Sequence, residues 1–286
     1  MNPSKTGFEK KRETVAPGIV KTIDSVSNPT IKSIRGLVSQ RKHRKESGLF
    51  VAEGLKLATD ALDANWTVQT LIYGHEVREQ EAVSQTAAKT RARGGTVLEV
   101  SRQVLSSITR RDNPQMVVGV YKQKTLSVDE IKPAEYAIWI GLDTVRDPGN
   151  LGTIIRTADA VGAAGVVLIG ETTDPFAVEA VRATMGSVFH VPIAKCSREQ
   201  FKKWIVNWPG QVAGTHLNGA VDYRTVKYDG PCFLLMGNEQ AGLPDDMADT
   251  CKTLVRIPQA GQADSLNLAI ATGVMLFEIC RERLKL

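Results

Sequence analysis

The chain has 286 residues, of which 42% are hydrophobic and 23% charged, as expected for a globular protein with room for two domains. Its net charge is +5 and its pI is about 9.0, which favours a polyanionic partner. No apolar run approaches the ~20 residues that cross a bilayer, and the N-terminus has no secretory signal, so we expect no membrane association.

Several common kinds of site are absent from the sequence. There is no GxGxxG, GxxxxGK[ST] or GxSxG motif, which argues against ordinary dinucleotide binding, P-loop hydrolysis and serine hydrolysis. The four histidines show no metal-ligand spacing, and the cysteines form no CxxC pair. We therefore expect no metal site, and reduced thiols in the cytoplasm.

The first part of the chain predicts a small domain behind a flexible arm. Residues 1–20 are polar, mixed in charge and without periodicity, which predicts a disordered arm. Residues 21–122 alternate short strands with helices, which predicts an α/β domain. Its expected strands are 50–54, 68–73, 97–100 and 116–121, with a helix after Asn28-Pro29 and another over 55–62. The polar residues 123–134 predict a linker.

A run without acidic residues extends from Ser25 to Lys45. Such a run is equally typical of a solvated helix face and of a surface that binds phosphates. Its position on a separate domain, ahead of a small-molecule site, favours RNA or DNA phosphates. The candidate residues are Lys32, Arg35, Arg41, Lys42, Arg44 and Lys45.

From residue 135 to 286 the apolar strands become continuous, which predicts a parallel sheet covered on both faces. The final helix, from Leu266 to about Leu284, is apolar nearly all round, which indicates burial against the sheet and against a second subunit. The expected strands are 136–142, 165–169, 191–193, 211–214, 233–236 and 253–257, with helices including 153–161 and 178–185.

Three loops with Gly and Asn follow strands of this sheet. Loop one is 147–152, loop two is 237–244 and loop three is 257–267. Glycines let a backbone approach a ligand closely, and open α/β sheets bind ligands beyond the carboxyl ends of their strands. The three loops together predict a composite small-molecule site.

Individual side chains in the loops carry alternative interpretations. Asn150 and Arg156 could face the crevice from one side of a helix start, or belong to a plain turn with a surface arginine. Glu239 could lie in a ligand loop or face solvent. Ser265 is well placed to cap the final helix. Asn267 inside that helix would need a partner, because an unmet buried amide costs ~1–3 kcal/mol.

The three loops and the first half of the chain carry motifs of a known family. Residues 150–158, 237–243 and 257–267 resemble the three signature motifs of the SpoU (TrmH-like) RNA 2'-O-ribose methyltransferases of the SPOUT superfamily. Residues 28–32 and 48–54 are similar to an L30e/L7Ae-like RNA-binding domain. The resemblance implies an α/β fold in which 135–286 form a parallel-sheet methyltransferase domain with a deep trefoil knot. It also implies S-adenosylmethionine as cofactor, a homodimer through this domain, and RNA binding by 21–122.

The resemblance assigns roles to particular residues. Arg156 would hold a phosphate or the forming alkoxide, or act as the base, and Glu239 would organise the loops. The remaining catalytic candidates, which would orient the reacting groups, are Asn150, Ser265 and Asn267. The cofactor-binding candidates are Thr215, Leu217, Gly237, Asn238, Gly242, Ile257 and Leu266.

The resemblance implies that the protein binds RNA, but which RNA it binds is open. The separate basic domain favours 23S-type rRNA over tRNA. A non-catalytic RNA-binding or ribosome-assembly protein on the same fold is the alternative from another functional class. The presence of all five catalytic candidates argues against that alternative, since a non-catalytic scaffold does not need them.

Overall fold

The computed structural model describes residues 16–217, 220–262 and 265–284, so the first fifteen residues of the predicted arm lie outside the described part of the chain. Two sheets form, one from each half of the chain. The first has the strand order β1-β4-β3-β5-β2 and is mixed, because β5 is antiparallel to both β3 and β2. Its strands are β1 (Val20–Ile23), β2 (Leu49–Glu53), β3 (Val68–Gly74), β4 (Thr96–Val100) and β5 (Val117–Lys122). The helices are α1 (Pro29–Ser39), α2 (Arg41–Ser47), α3 (Leu55–Asp63), α4 (Glu81–Ala92) and α5 (Arg102–Thr109).

The strand β1 is absent from the sequence prediction. Only Ile23 of its four residues is buried, so the sequence carries no alternating pattern. Parallel pairing with β4 creates this strand, which is therefore a tertiary product. The end of the predicted arm is held as well, since Gly18 N donates to Arg91 O at 2.8 Å.

The second sheet is wholly parallel, in the order β10-β12-β9-β11-β6-β7-β8. Every residue of β6, β7 and β11 is buried, so the predicted parallel sheet covered on both faces is confirmed. The strands are β6 (Ile138–Asp143), β7 (Gly165–Ile169), β8 (Ile193–Cys196), β9 (Gln211–Thr215), β10 (Val221–Asp222), β11 (Cys232–Met236) and β12 (Thr253–Arg256). The helices are α6 (Pro148–Ala160), α7 (Val178–Thr184), α8 (Arg198–Ile205), α9 (Asp245–Ala248) and α10 (Leu268–Ile279).

The two faces of the second sheet have different covers. On one face, α6 and α10 pack their apolar residues with Ile140 and Leu142 of β6. On the other face, α8 and α9 pack with Trp139 and with β11 residues such as Phe233. The predicted linker joins this second cover: Leu126 exchanges backbone hydrogen bonds with the β8 region, and Val128 is buried. Because all seven strands run the same way, the loops that follow them meet at one edge.

An aromatic cluster joins the two halves of the chain. Phe50, Trp66 and Tyr121 of the first half pack against Phe176 and Phe189 of the second, with ring centroids 4.8–6.2 Å apart. The Trp66 indole also donates to Phe189 O at 2.9 Å. The halves therefore share one hydrophobic core, which gives their relative position a structural basis.

Two ion pairs lie beside the aromatic cluster. Arg44 Nε contacts Asp174 Oδ2 at 2.7 Å, and both side chains are almost fully buried. Arg182 contacts Glu53 at 2.7 Å, with the glutamate side chain 2% exposed. Each pair joins one half of the chain to the other, so the junction contains buried ion pairs as well as apolar contacts.

The remaining expectations from the sequence concern the cysteines, metal binding and membrane association. All four cysteines are free, and burial raises the pKa of Cys196, Cys232 and Cys251 to about 12. They are therefore protonated at neutral pH. In the described ranges, no group of His, Cys, Asp and Glu is arranged to hold a metal ion, and no helix has the length and apolarity to cross a membrane.

Candidate active site

A cavity of about 400 Å³ lies beyond the carboxyl ends of β9, β11 and β12. This volume is typical of small-molecule sites. Loops two and three and the segment after β9 form its walls. The structure thus brings together all seven cofactor candidates, which are Thr215, Leu217, Gly237, Asn238, Gly242, Ile257 and Leu266.

The backbone of loop two forms one wall of the cavity. Asn238 N donates to Gly242 O at 2.9 Å, and Gly242 N donates back to Asn238 O at 3.0 Å. A Cβ on Gly237 would lie 2.1 Å from the backbone of Gly242 and Leu243, so only glycine fits. Gly242 has a φ of +67°, a conformation that L side chains rarely adopt. The wall therefore presents peptide groups, which suits a ligand held through backbone hydrogen bonds.

Glu239 connects loop two to loop one. Its carboxylate accepts from the backbone N–H groups of Arg146 and Asp147 at 3.2–3.4 Å. It also accepts from the side-chain amides of Asn150 at 3.4 Å and Asn238 at 3.2 Å. With four donors around it, the carboxylate holds the two loops together, and this geometry suits an organising role better than proton transfer.

Asn267 connects loop three to loop one. Its Nδ2 donates to Asn150 Oδ1 at 2.9 Å, while its Oδ1 accepts from Ala269 N and Ile270 N. Asn267 is therefore the N-cap of α10. The prediction that Ser265 caps this helix is wrong, as is the placement of Asn267 inside it. Asn267 is exposed and not buried as predicted, its amide has Asn150 of the facing loop as partner, and Ser265 lines the cavity.

Arg156 lies apart from this cluster within one chain. Its side chain is exposed, and it is not among the residues that line the cavity. Of the two interpretations of loop one, the surface arginine agrees with the exposure of Arg156, and the placement of Asn150 and Arg156 on one side of the helix is wrong. Six residues at about 100° each place them about 120° apart around α6. Its neighbour Thr157 is on the side of α6 that meets α10, where Thr157 Cγ2 lies 3.8 Å from the Cβ position of Gly273.

The start of α6 explains the other residues of loop one. Asp147 accepts from Asn150 N at 2.6 Å and caps the helix, and Pro148 occupies its first turn. A Cβ on Gly152 would lie 2.4 Å from Ala180 O. This glycine therefore permits close packing of α6 on α7 and does not line the cavity, contrary to the expectation that the glycines of this loop let a ligand approach.

Two residues near the site were missed from the sequence. His216 follows β9 directly, lines the cavity, and lies 3.6 Å from Asp245 Oδ1. Arg146 precedes loop one, and its side chain is exposed while its N–H binds Glu239. The available signal was their position just after strand ends, at the edge where ligands bind.

Arg44 must be removed from the predicted RNA-binding residues. It is 5% exposed, donates to Asp174 at 2.7 Å, and donates to Leu37 O at 2.8 Å. These contacts hold its guanidinium buried in the junction, where it cannot reach a phosphate. Its neighbours on α2 differ, because Arg41, Lys42 and Lys45 are exposed. Lys32 is also exposed, and Arg35 is partly exposed.

Comparison with known proteins gives the family. Residues 137–277 match the model of the SpoU rRNA methylase family, and residues 28–119 match that of an MRM3-like substrate binding domain. The chain is 30% identical to a 23S rRNA (uridine(2479)-2'-O)-methyltransferase of Streptomyces viridochromogenes, over 90% of this chain and 91% of the relative. It is 29% identical to the Bacillus subtilis 23S rRNA (guanosine(2553)-2'-O)-methyltransferase RlmP, over 91% and 99%.

A solved structure agrees with both matches. The AdoMet-bound rRNA methyltransferase from Sinorhizobium meliloti superposes with a TM-score of 0.88 and 58% identity, over 93% of this chain and 99% of that one. The similarity covers both halves of the chain. The predicted enzyme class, a methyltransferase, is thereby confirmed, and the chain belongs to the SpoU rRNA methylase family.

Proposed function

We propose that this protein transfers a methyl group from S-adenosylmethionine to a ribose 2'-hydroxyl of 23S-type ribosomal RNA. The observation that carries the proposal is the cavity walled by loops two and three, with the cluster of Asn150, Glu239 and Asn267 beside it. Membership of the SpoU family and the rRNA substrates named for two relatives support the choice of RNA.

The residues around the cavity suit this cofactor. Backbone groups of loop two would bind the polar edge of its adenine, and Leu217, Ile257 and Leu266 would provide apolar walls. Gly237 is needed for the shape of this wall, because any side chain there would collide with the facing backbone of Gly242 and Leu243. When bound, S-adenosylmethionine supplies an electrophilic methyl group on a sulfonium.

The chain's own residues would prepare the acceptor. A ribose 2'-hydroxyl is a weak nucleophile until its proton is removed or its developing charge is stabilised. A guanidinium stays protonated, so Arg156 would stabilise the forming alkoxide or hold the neighbouring phosphate. One such preorganised donor contributes about 3–4 kcal/mol. Asn150, Ser265 and Asn267 would orient the reacting groups, and Glu239 would maintain the loop arrangement.

A homodimer would give Arg156 its role. The exposed side of α10 carries Ile270 (59% exposed), Val274 and Phe277 (53% exposed), spaced i, i+4 and i+7. An exposed apolar stripe of this kind is typical of an interface. Arg156 is exposed on α6, the helix that packs with α10, and lies outside its own cavity. We infer that a second copy covers this surface, so that Arg156 completes an active site at the interface.

RNA binding by the first half of the chain and a cytoplasmic location belong to the same proposal. The first half of the chain would bind the RNA substrate through its exposed cations. Free thiols agree with a cytoplasmic enzyme. The trefoil knot implied by the resemblance stays a prediction.

The test measures methyl transfer from labelled S-adenosylmethionine to 23S rRNA, with tRNA as a parallel substrate. Arg156→Ala should lower the rate about 10²–10³-fold while calorimetric cofactor affinity is unchanged. Asp159→Ala, on an exposed position of the same helix, is the matched control. Unchanged transfer by Arg156→Ala would remove the catalytic assignment. Faster transfer to tRNA would favour the tRNA alternative, and RNA binding without any transfer would favour the non-catalytic one.

A further inference from the structure

The junction between the two halves brings together cations from both. Lys195 lies near the end of β8, with its Nζ 5.4 Å from the centre of the Phe176 ring. Phe176 N donates to Asp174 Oδ1 at 3.0 Å, and the other carboxylate oxygen of Asp174 accepts from Arg44 of α2. A continuous series of contacts therefore leads from Lys195 in the methyltransferase sheet to α2 in the first half.

The helix α2 presents two further cations next to this contact. Arg41 lies one turn before Arg44, and Lys45 directly follows it. Both side chains are exposed, as is that of Lys195, and within the described part of the chain none of the three has a carboxylate partner. The nearby carboxylate of Asp174 is already engaged by Arg44.

The electrostatics of Lys195 agree with this placement. Desolvation at the junction lowers the pKa of its ammonium and the charge of Asp174 opposes this, while the charges of Arg41 and Lys45 each lower the pKa by a smaller amount. A ligand with negative charge would interact favourably with each of these three cations.

The cations lie at the same edge of the sheet as the cavity. Since all seven strands are parallel, the carboxyl end of β8 and those of β9, β11 and β12 share that edge. From β8 to β11 there are three strand spacings, or roughly 14 Å. A stacked RNA strand covers that distance in about four nucleotides at 3.4 Å each.

We propose that Arg41, Lys45 and Lys195 form a single phosphate-binding site across the junction, which holds the RNA backbone a few nucleotides from the methylated ribose. This inference rests on the proposed function and adds a residue of the methyltransferase half to the RNA-binding surface. The buried pair of Arg44 and Asp174 acts as a positioning element, because it fixes α2 relative to Lys195.

The test compares Lys195→Met with Lys203→Met. Lys203 is also exposed and unpaired among the described residues, but it lies on α8, which covers the other face of the sheet. Binding of a labelled single-stranded RNA of about 20 nucleotides is measured at several salt concentrations. Each lost phosphate contact should lower the slope of log K against log salt by about 0.7. Lys195→Met should show this loss, Lys203→Met should not, and cofactor binding should be unchanged in both.

The same measurement extends to α2. Arg41→Met and Lys45→Met should each lower the slope similarly, and the triple variant should lower it by about 2. Equal effects of Lys195→Met and Lys203→Met would overturn the proposal, since they would indicate only a loss of net charge. Competition by polyglutamate as effective as that by RNA would overturn the choice of RNA. A wild-type protein that binds RNA in this way but does not methylate 23S rRNA would refute the proposed function while leaving the site intact.

Discussion

Replacing Asp174 with Asn tests whether buried charge holds the two halves of the protein together. The side chains of Arg44 and Asp174 are only 6% and 10% exposed. Asparagine has the same shape and can keep the acceptor for Phe176 N, so the substitution removes little besides the charge. It leaves the Arg44 guanidinium buried with carbonyl partners alone, among them Leu37 O.

The magnitude follows from that burial. Removing one partner of a buried ion pair costs about 3–5 kcal/mol, because the other charge is left uncompensated. The pair between Lys42 and Glu46 on α2 is the control, with side chains 85% and 63% exposed. An exposed pair at this spacing contributes about 0.3–0.5 kcal/mol, so Lys42→Met should hardly change the free energy of unfolding.

Urea denaturation followed by circular dichroism and by tryptophan fluorescence gives the free energies. Trp66 lies in the junction and donates to Phe189 O, so its environment changes when the halves separate. Asp174→Asn should lower the free energy of unfolding by about 3–5 kcal/mol. Arg44→Met combined with Asp174→Leu should cost less than the sum of the two single changes, since no charge then remains buried. Strict additivity of the two would refute the coupling inferred from the structure.

Three further predictions concern single residues. Gly237→Ala should abolish calorimetric binding of S-adenosylmethionine, because its Cβ would lie 2.1 Å from facing backbone. Gly261→Ala should bind normally, since no atom of the described residues lies within 4 Å of its Cβ position, and equal affinities would contradict the assigned wall. Asn267→Ala should lower the free energy of unfolding by about 1 kcal/mol through loss of the α10 cap, and an unchanged value would argue against capping. Hydrogen bonds to Glu99 and Asp24 raise the pKa of His75. The free energy of unfolding should therefore exceed that of His75→Gln by its full amount between about pH 5 and 6.5, and this difference should vanish as the pH rises through the raised pKa. Urea titrations at several pH values check this, and a pH-independent difference would disprove it.

The loops of the cavity were accessible from the sequence because they carry local signals, whereas the individual cofactor candidates came from the family resemblance. Glycines beside a strand end, as at Gly237 and Gly242, indicate backbone that a ligand can approach. The buried strands were equally legible, because continuous apolar runs such as β7 and β11 occur where both faces of a sheet are covered. The short strands β1 and β10 were missed because they bury few side chains and exist through pairing with a neighbour.

The sequence by itself determined the fold class, the strands of the parallel sheet and the loops that form the cavity, since each depends on residues close together in the chain. Only the tertiary structure decided which side chains meet. Asn267 reaches Asn150 across 117 residues, and Arg44 reaches Asp174 across 130. No local pattern distinguishes Arg44 from the exposed cations beside it. Burial, and the partner that burial requires, depends on how two distant segments pack.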